Sequence, residues 1–183
     1  MTRRLVAFAF LVMGVEAATP VLRLHDTDNQ PVLILPAKAE ATVVIFISTV
    51  CPVSNAYNDR YQLLSSGYKG RGVQFVFVNA NDNETTAEMK EHVRVAEFSF
   101  PVYKDWKNVV ADQLHAGMTP ETFVLNRKGE IVYHGAVDDS KNEARVKVTA
   151  LRDAIDAVLA GKVPPRAELK AFGCTIHRYR KSS

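Results

Sequence analysis

Residues 43–54 constrain the fold of this chain more than any other stretch. Five consecutive apolar residues, β-branched or aromatic, open the stretch and predict a buried central β-strand. The strand ends at a small polar pair, Ser48 and Thr49, and Cys51 and Pro52 follow shortly after. Because proline is tolerated in the first turn of a helix, we expect a helix whose N-terminus lies at Cys51.

A cysteine at a helix N-terminus has distinctive chemistry. The first backbone N–H groups of a helix lack partners within the helix, and the helix dipole places its positive pole there. Both effects stabilise a thiolate, which is the nucleophilic form of cysteine. The sequence therefore predicts one activated sulfur, that of Cys51, at the tip of a buried strand.

Length and composition indicate a folded globular protein with one main domain. The chain has 183 residues, of which 47% are hydrophobic and 23% charged. Its formal charge of +3 is small, and no basic stripe with interleaved aromatic residues occurs, which argues against a nucleic-acid partner. The basic residues 177–181 are interpreted as a solvated, frayed C-terminus.

The first residues have the layout of a secretory signal peptide. A short basic segment precedes an apolar run that is too short to span a bilayer, and small residues follow it. We expect cleavage after Ala17 or Ala18, a periplasmic or secreted protein, and no integral membrane segment after cleavage. Such compartments permit disulfides, and Cys51 and Cys174 are the two cysteines of the chain. From their number alone they could form a structural disulfide, a redox couple or two independent thiols.

The remaining pattern alternates strands and helices and predicts an α/β fold with a mixed sheet. The domain is expected to span residues 19–162, followed by a polar tail, 163–183, that carries Cys174. Expected strands are an N-terminal hairpin (21–25 and 32–35), the central strand (43–48), then 73–78, 100–103 and a second hairpin (122–125 and 130–134). Expected helices run from Pro52 to the break at 67–72, over 86–95, over 108–115 with Gly117 closing it, and as one long amphipathic stripe from Ala144 to Leu159.

Three features together resemble the thioredoxin-like superfamily: Cys-Pro at a strand-to-helix junction, Thr119-Pro120 directly before a strand, and a closing hairpin and helix. The similarity covers roughly residues 19–160 and points to the exported TlpA/ResA-like and AhpC/TSA (peroxiredoxin-like) branches. It implies a central mixed sheet flanked by helices. It also implies that Pro120 is cis, lies against the active cysteine and leaves neighbouring backbone at Thr119 free to pair with a bound peptide.

The resemblance implies an exported thiol:disulfide oxidoreductase with Cys51 as nucleophile, and with Pro52 and Ser54 shaping its loop. Dithiol members of the superfamily carry Cys-x-x-Cys, whereas this chain has Ser54 in place of the second cysteine. A monothiol needs a second thiol to resolve its mixed disulfide. Cys174 is the internal candidate, and an external thiol is the alternative. Substrates would be protein thiols or disulfides, with an external thiol reductant and no organic cofactor.

Two further functions stay open. Ser48, Val50 and Cys51-Pro52 are similar to the peroxidatic motif of peroxiredoxins, which suggests a thiol peroxidase acting on a small peroxide. That motif's proline is replaced by Val44, and its arginine is missing between residues 107 and 127, so Arg60 or Arg127 would have to polarise the peroxide. The other alternative is a non-catalytic binding domain with a permanent Cys51–Cys174 disulfide. No metal ligand is assigned, because a single C-x-x-H in a tail does not define a site.

Overall fold

The computed structural model describes residues 20–180, so the predicted signal peptide lies outside the described residues. Within this range the strands are β1 (Leu22–His25), β2 (Pro31–Ile34), β3 (Ala41–Phe46), β4 (Val73–Asn79), β5 (Val102–Lys104), β6 (Met118–Thr119), β7 (Glu121–Asn126), β8 (Ile131–Gly135), β9 (Glu168–Leu169) and β10 (Cys174–Thr175). The α-helices are α1 (Pro52–Asn55), α2 (Asn58–Gly67), α3 (Thr86–Val95), α4 (Val109–Leu114) and α5 (Ala150–Leu159).

Eight strands form one mixed sheet in the order β2-β1-β5-β4-β3-β7-β8-β9. The predicted central strand, β3, is parallel to β4 on one side and antiparallel to β7 on the other. The predicted N-terminal hairpin, β1–β2, lies at one edge. The predicted α/β class, with a central mixed sheet and an N-terminal hairpin, is confirmed.

Strand β3 is buried on both faces and separates two apolar clusters. Val43 and Ile45 belong to one cluster, with side chains of α2, α3 and α5. Val44 and Phe46 belong to the other, with side chains of β1 and α4. Because successive strand residues point to opposite faces, an uninterrupted apolar run is what a strand covered on both sides requires.

Three of the predicted helices differ from their prediction. The helix expected from Pro52 is broken between α1 and α2, where the Tyr57 backbone N–H donates to the Ser54 carbonyl. The fully buried Tyr57 ring is anchored there, since its hydroxyl donates to Asp138 at 2.8 Å. Helix α4 ends at Leu114, close to the predicted end, but the residue that closes it in the left-handed conformation is His115, with a φ of 59°, and not Gly117 as predicted.

The long amphipathic helix expected from Ala144 begins only at Ala150. One carboxylate oxygen of Asp139 accepts hydrogen bonds from the backbone N–H groups of Lys147 and Val148, at 2.9 and 3.1 Å. The Asp139 N–H in turn donates to the Val148 carbonyl. These contacts hold the segment before α5 outside the helix, although its apolar spacing is helical.

The C-terminal segment is packed on the domain up to residue 180, so the prediction of a frayed tail was wrong for residues 177–180, while Lys181 lies outside the described residues. Strand β9 adds to β8 at the sheet edge, and β10 pairs with β6 in a separate two-stranded sheet. Ile176 is only 2% exposed and joins the cluster around α4. The guanidinium of Arg178 pairs with Asp112 at 2.6 Å. His177, Tyr179 and Arg180 are exposed, as the basic composition predicted, but backbone contacts with residues far away in the chain hold the segment in place.

None of the helices within residues 20–180 has both the length and the apolar character needed to cross a membrane.

Candidate active site

Cys51 lies where β3 leads into α1, and it is the N-cap residue of that helix. Pro52 is the first helical residue, as predicted. The backbone N–H of Ser54 donates to the Cys51 sulfur at 3.4 Å, and the cysteine is only 2% exposed. A backbone donor directed at sulfur favours the thiolate over the thiol whenever the cysteine is reduced.

Cys51 and Cys174 form a disulfide that joins the start of α1 to the C-terminal segment. Their Cα atoms are 6.0 Å apart across a sequence separation of 123 residues. Cys174 is brought there by the β10–β6 pairing, in which it lies opposite Thr119. The two cysteines therefore meet because the tail folds back to the strand that precedes Pro120.

The Thr119–Pro120 peptide bond is cis and lies beside this disulfide. The Thr119 carbonyl oxygen is 3.3 Å from the Cys51 sulfur, and the Thr119 hydroxyl donates to the Cys174 carbonyl at 3.4 Å. The backbone of β6 that the sequence predicted to be free is therefore occupied by the protein's own β10.

Ser48 and Thr49 are held by a buried carboxylate, that of Glu84, which is 2% exposed. The Ser48 hydroxyl donates to one Glu84 oxygen at 2.6 Å. The other oxygen accepts from the Thr49 N–H and hydroxyl, each at 2.6 Å, and from the Asn79 amide at 2.7 Å. The Cys51 N–H donates to the Ser48 hydroxyl oxygen at 3.0 Å. Glu84 is thus linked through Ser48 to the backbone of the cysteine.

The sequence analysis did not identify Glu84, which stands just before the helix predicted over residues 86–95, where polar residues are expected to cap the helix. Thr85 is indeed the N-cap of α3, in a capping box with Glu88, but Glu84 turns inward. The strand pattern could have pointed to Glu84. Because the parallel strands β3 and β4 end at the same edge of the sheet, polar residues after β4 lie near the loop after β3.

Lys104 is a second buried ionisable residue near this loop. Its ammonium group donates to the Glu84 backbone carbonyl at 2.6 Å and to the Asn81 carbonyl. Burial lowers the pKa of Lys104, while the neighbouring Glu84 carboxylate partly opposes that shift. Lys104 therefore fixes the backbone from which the Glu84 side chain extends.

Glu121 is a further residue that the sequence reasoning missed. One of its carboxylate oxygens accepts from the N–H groups of Gly117 and Met118, at 2.6 and 3.0 Å. The other lies 2.5 Å from Nε2 of His134. Glu121 therefore ties the segment before Pro120 to strand β8.

Ser54 stands where dithiol relatives have a second cysteine. Its side chain contacts the backbone at the end of β3. Its hydroxyl oxygen accepts from the Ser48 N–H at 3.2 Å, and the residue is almost fully buried. The hydroxyl thus closes the loop between the end of β3 and α1.

Neither arginine considered for peroxide chemistry is directed at Cys51. The Arg60 guanidinium binds the Asp138 carboxylate and the carbonyls of Ser140 and Lys141. Arg127 pairs with Glu40 at the opposite end of β3 from Cys51. These contacts engage both guanidinium groups elsewhere and give no support to a role for either arginine in polarising a peroxide.

The Arg60–Asp138 contact is buried, so we expect Asp138→Asn to lower the free energy of unfolding by about 3 kcal/mol. The substitution leaves the Arg60 charge without its counterion and weakens the hydrogen bond from Tyr57. Urea unfolding with the disulfide intact measures the change. The half-exposed pair Arg71–Asp156 provides the control, because Arg71→Gln should change stability by less than about 1 kcal/mol. Equal effects of the two variants would contradict the prediction.

Both cysteine sulfurs are in the disulfide, and residues 20–180 contain no group of three or more His, Cys, Asp or Glu side chains placed to hold a metal ion.

Comparisons with known proteins agree with this geometry. Sporulation thiol-disulfide oxidoreductase A from Bacillus subtilis is 23% identical over 145 residues, which covers 72% of this chain and 88% of that protein. Thiol-disulfide oxidoreductase ResA from Halalkalibacterium halodurans is 28% identical over 109 residues, covering 60% of this chain and 61% of ResA. A crystal structure of a hypothetical protein from Sinorhizobium meliloti 1021 superposes with a TM-score of 0.81 at 28% identity, covering 93% of this chain and 98% of that one.

The predicted thioredoxin-like fold and the TlpA/ResA-like oxidoreductase class are thereby confirmed. The Redoxin family model matches residues 14–153, a range that includes the central strand, Cys51-Pro52 and Thr119-Pro120. On that match, the chain belongs to the Redoxin family.

Proposed function

We propose that this protein is a thiol:disulfide oxidoreductase in which Cys51 is the nucleophile and Cys174 resolves the mixed disulfide. The observation that carries the proposal is the Cys51–Cys174 disulfide itself, formed at a helix N-terminus beside a cis Thr119–Pro120 bond. The names of the relatives from B. subtilis and H. halodurans support the same reaction class.

The reaction follows from the two sulfurs. In the reduced protein the Cys51 thiolate attacks a substrate disulfide, forms a mixed disulfide and releases one substrate thiolate. The Cys174 thiolate then attacks the Cys51 sulfur, which forms the internal disulfide and releases the second substrate thiolate. Two electrons pass to the substrate, and an external thiol reductant restores the two thiols. The reverse sequence oxidises a substrate dithiol.

The surrounding residues have positioning roles in this proposal. Ser48, Thr49 and Ser54 hold the loop that presents Cys51, and Pro52 begins the helix whose N-terminus stabilises the thiolate. Thr119 and Pro120 present the backbone that faces the sulfur.

We further propose that the protein acts after export, in a periplasmic or extracellular compartment. The basic segment at residues 2–4, the short apolar run and the small residues up to Ala18 support this location. An oxidising compartment is compatible with an internal disulfide in the resting protein.

The alternative of a non-catalytic domain is favoured by one observation, the burial of Cys51 beneath the tail. A permanent structural disulfide would be similarly shielded. Reactivity of the reduced cysteines separates the two functions.

The test compares the reduced wild type with Cys174→Ser and Cys51→Ser. Thiol titration should place the pKa of Cys51 below the ordinary value of about 8.5. With a mixed-disulfide reporter, Cys174→Ser should accumulate a stable Cys51 adduct, the wild type should release it by closing the internal disulfide, and Cys51→Ser should form no adduct at that position. Slow, equal reaction of all three would contradict the proposal, and rapid consumption of hydrogen peroxide would favour the peroxidase instead.

A further inference from the structure

The tail segment, defined here as residues 173–179, lies in a groove beside the disulfide as an added antiparallel strand. Cys174 lies opposite Thr119, and Thr175 opposite Met118. The Ile176 N–H extends the pairing by donating to the Gly117 carbonyl at 3.0 Å. The tail segment therefore occupies the backbone that faces Cys51, with its own cysteine bonded to that sulfur.

The groove accepts particular side chains at two positions of the tail segment. Gly173 adopts a φ of +155°, and a Cβ there would lie 2.0 Å from the Thr119 carbonyl oxygen, so a residue with a side chain does not fit. Ile176 is buried and belongs to the apolar cluster that also contains side chains of β1 and α4. Thr175, between them, is exposed. The groove thus fits a glycine before the cysteine and a large aliphatic residue two positions after it.

The far end of the groove binds mainly through backbone contacts. The carboxamide oxygen of buried Asn81 accepts from the His177 N–H at 2.8 Å, and that of buried Asn108 accepts from the Tyr179 N–H at 2.7 Å. The Asp82 N–H donates to the His177 carbonyl at 2.9 Å. These contacts bind an extended backbone of any sequence.

One contact at that end depends on charge. The Arg178 guanidinium pairs with the Asp112 carboxylate and donates to the Ala116 carbonyl. A carbonyl and a carboxylate close together favour a cation over a neutral or acidic side chain.

We propose that this groove is the docking site for an external extended peptide with the pattern Gly-Cys-x-aliphatic-x-Arg, and that the tail segment is its built-in competitor. The inference rests on the proposed function and adds the substrate class. While the disulfide is closed, the tail is bonded in place. Reduction of the disulfide leaves only non-covalent contacts, which an external strand of the same chemistry can replace. The peptide cysteine then takes the position of Cys174.

The test uses the full-length, reduced Cys174→Ser protein, so that Cys51 is the one thiol that can react. The probe is a synthetic peptide, Gly-Cys-Thr-Ile-His-Arg-Tyr, whose cysteine forms a mixed disulfide with 5-thio-2-nitrobenzoate. The Cys51 thiolate attacks the peptide sulfur, the Cys51–peptide disulfide forms, and coloured 5-thio-2-nitrobenzoate leaves with the electron pair. In the control peptide, isoleucine is replaced by aspartate and arginine by glutamate.

We expect the matched peptide to react at least about tenfold faster than the control at low concentration, because burial of one large aliphatic side chain alone supplies that difference. Adding Gly173→Ala should displace the tail and raise the rate with the matched peptide further, by about threefold or more, since its Cβ would meet Thr119. Gly67→Ala, where an added Cβ has no neighbour within 4 Å, should leave the rate unchanged.

The outcomes separate the inference from the proposed function. Equal rates with both peptides, or a slower rate in Gly173→Ala, would overturn the docking site while Cys51 remained a nucleophile. The same holds if both peptides are inert but 5,5′-dithiobis(2-nitrobenzoate) reacts rapidly. If that small reagent is also inert, the proposed function fails together with the inference.

Discussion

Glu84→Ala is expected to lower the free energy of unfolding by about 4 kcal/mol, since it leaves several buried donors without an acceptor. The Glu84 carboxylate accepts from the Ser48 and Thr49 hydroxyls, the Thr49 N–H and the Asn79 amide. Each such donor then lacks a partner in a site from which water is largely excluded. Urea unfolding of the disulfide-bonded protein, monitored by circular dichroism, measures the loss.

Loss of Glu84 should also reduce the reactivity of Cys51. The Ser48 hydroxyl, oriented by its donation to Glu84, accepts from the Cys51 N–H, so the loop that presents the sulfur becomes less ordered. The rate of the reduced Cys174→Ser protein with a mixed-disulfide reporter measures this effect.

Glu91→Ala is the matched control, because Glu91 is exposed on α3 and its ion pair is with nearby Arg94, which is also exposed. It should change stability by less than about 1 kcal/mol and leave the thiol reaction unaffected. If Glu84→Ala were no more destabilising than Glu91→Ala, the buried network would not hold the active-site loop.

Opening the Cys51–Cys174 disulfide is expected to lower the free energy of unfolding by about 4 kcal/mol. The unfolded chain gains conformational entropy when the long loop is no longer closed by the disulfide. The sequence separation of 123 residues means that the disulfide restricts most of the unfolded chain. Unfolding is measured for the wild type with and without a dithiol reductant.

Cys174→Ser provides an internal control for that measurement. It lacks the disulfide, so the reductant should not change its stability, and the reduced wild type should approach its value. If the oxidised and reduced wild types unfolded at the same urea concentration, the contribution of the disulfide would be contradicted.

Much of the fold follows from local sequence pattern. The apolar run that forms β3 requires burial on both faces, and the hairpin β1–β2 is defined by a turn-rich spacer between two apolar runs. Cys51 at the N-cap and Pro52 in the first turn follow from backbone preferences of proline. These features depend on neighbouring residues, so a single sequence suffices to predict them.

The spacing of apolar residues predicted a helix start less reliably where a side chain forms hydrogen bonds with the backbone of that segment. The apolar spacing at Ala144 and Val148 is helical, yet Asp139 binds the backbone of residues 147 and 148 and delays α5 until Ala150. The competing hydrogen bonds come from Asp139, a loop residue that follows β8 and whose neighbours are bound by Arg60 of α2. The spacing of apolar residues in the sequence does not reveal where this loop lies.

By itself, the sequence determined the central strand and the helix-capping cysteine, because short-range backbone and burial preferences encode them, and its motifs resembled the superfamily whose fold the chain has. Only the tertiary structure decided that Glu84 lies beneath the Cys51 loop, that Glu121 ties the backbone before Pro120, and that the tail lies beside Thr119. The contacts of Glu84 and of the tail join residues that are far apart in the chain, and Glu121 also reaches His134 on the neighbouring strand β8. Their energies come from burial and hydrogen-bond partners that exist only after the chain has folded.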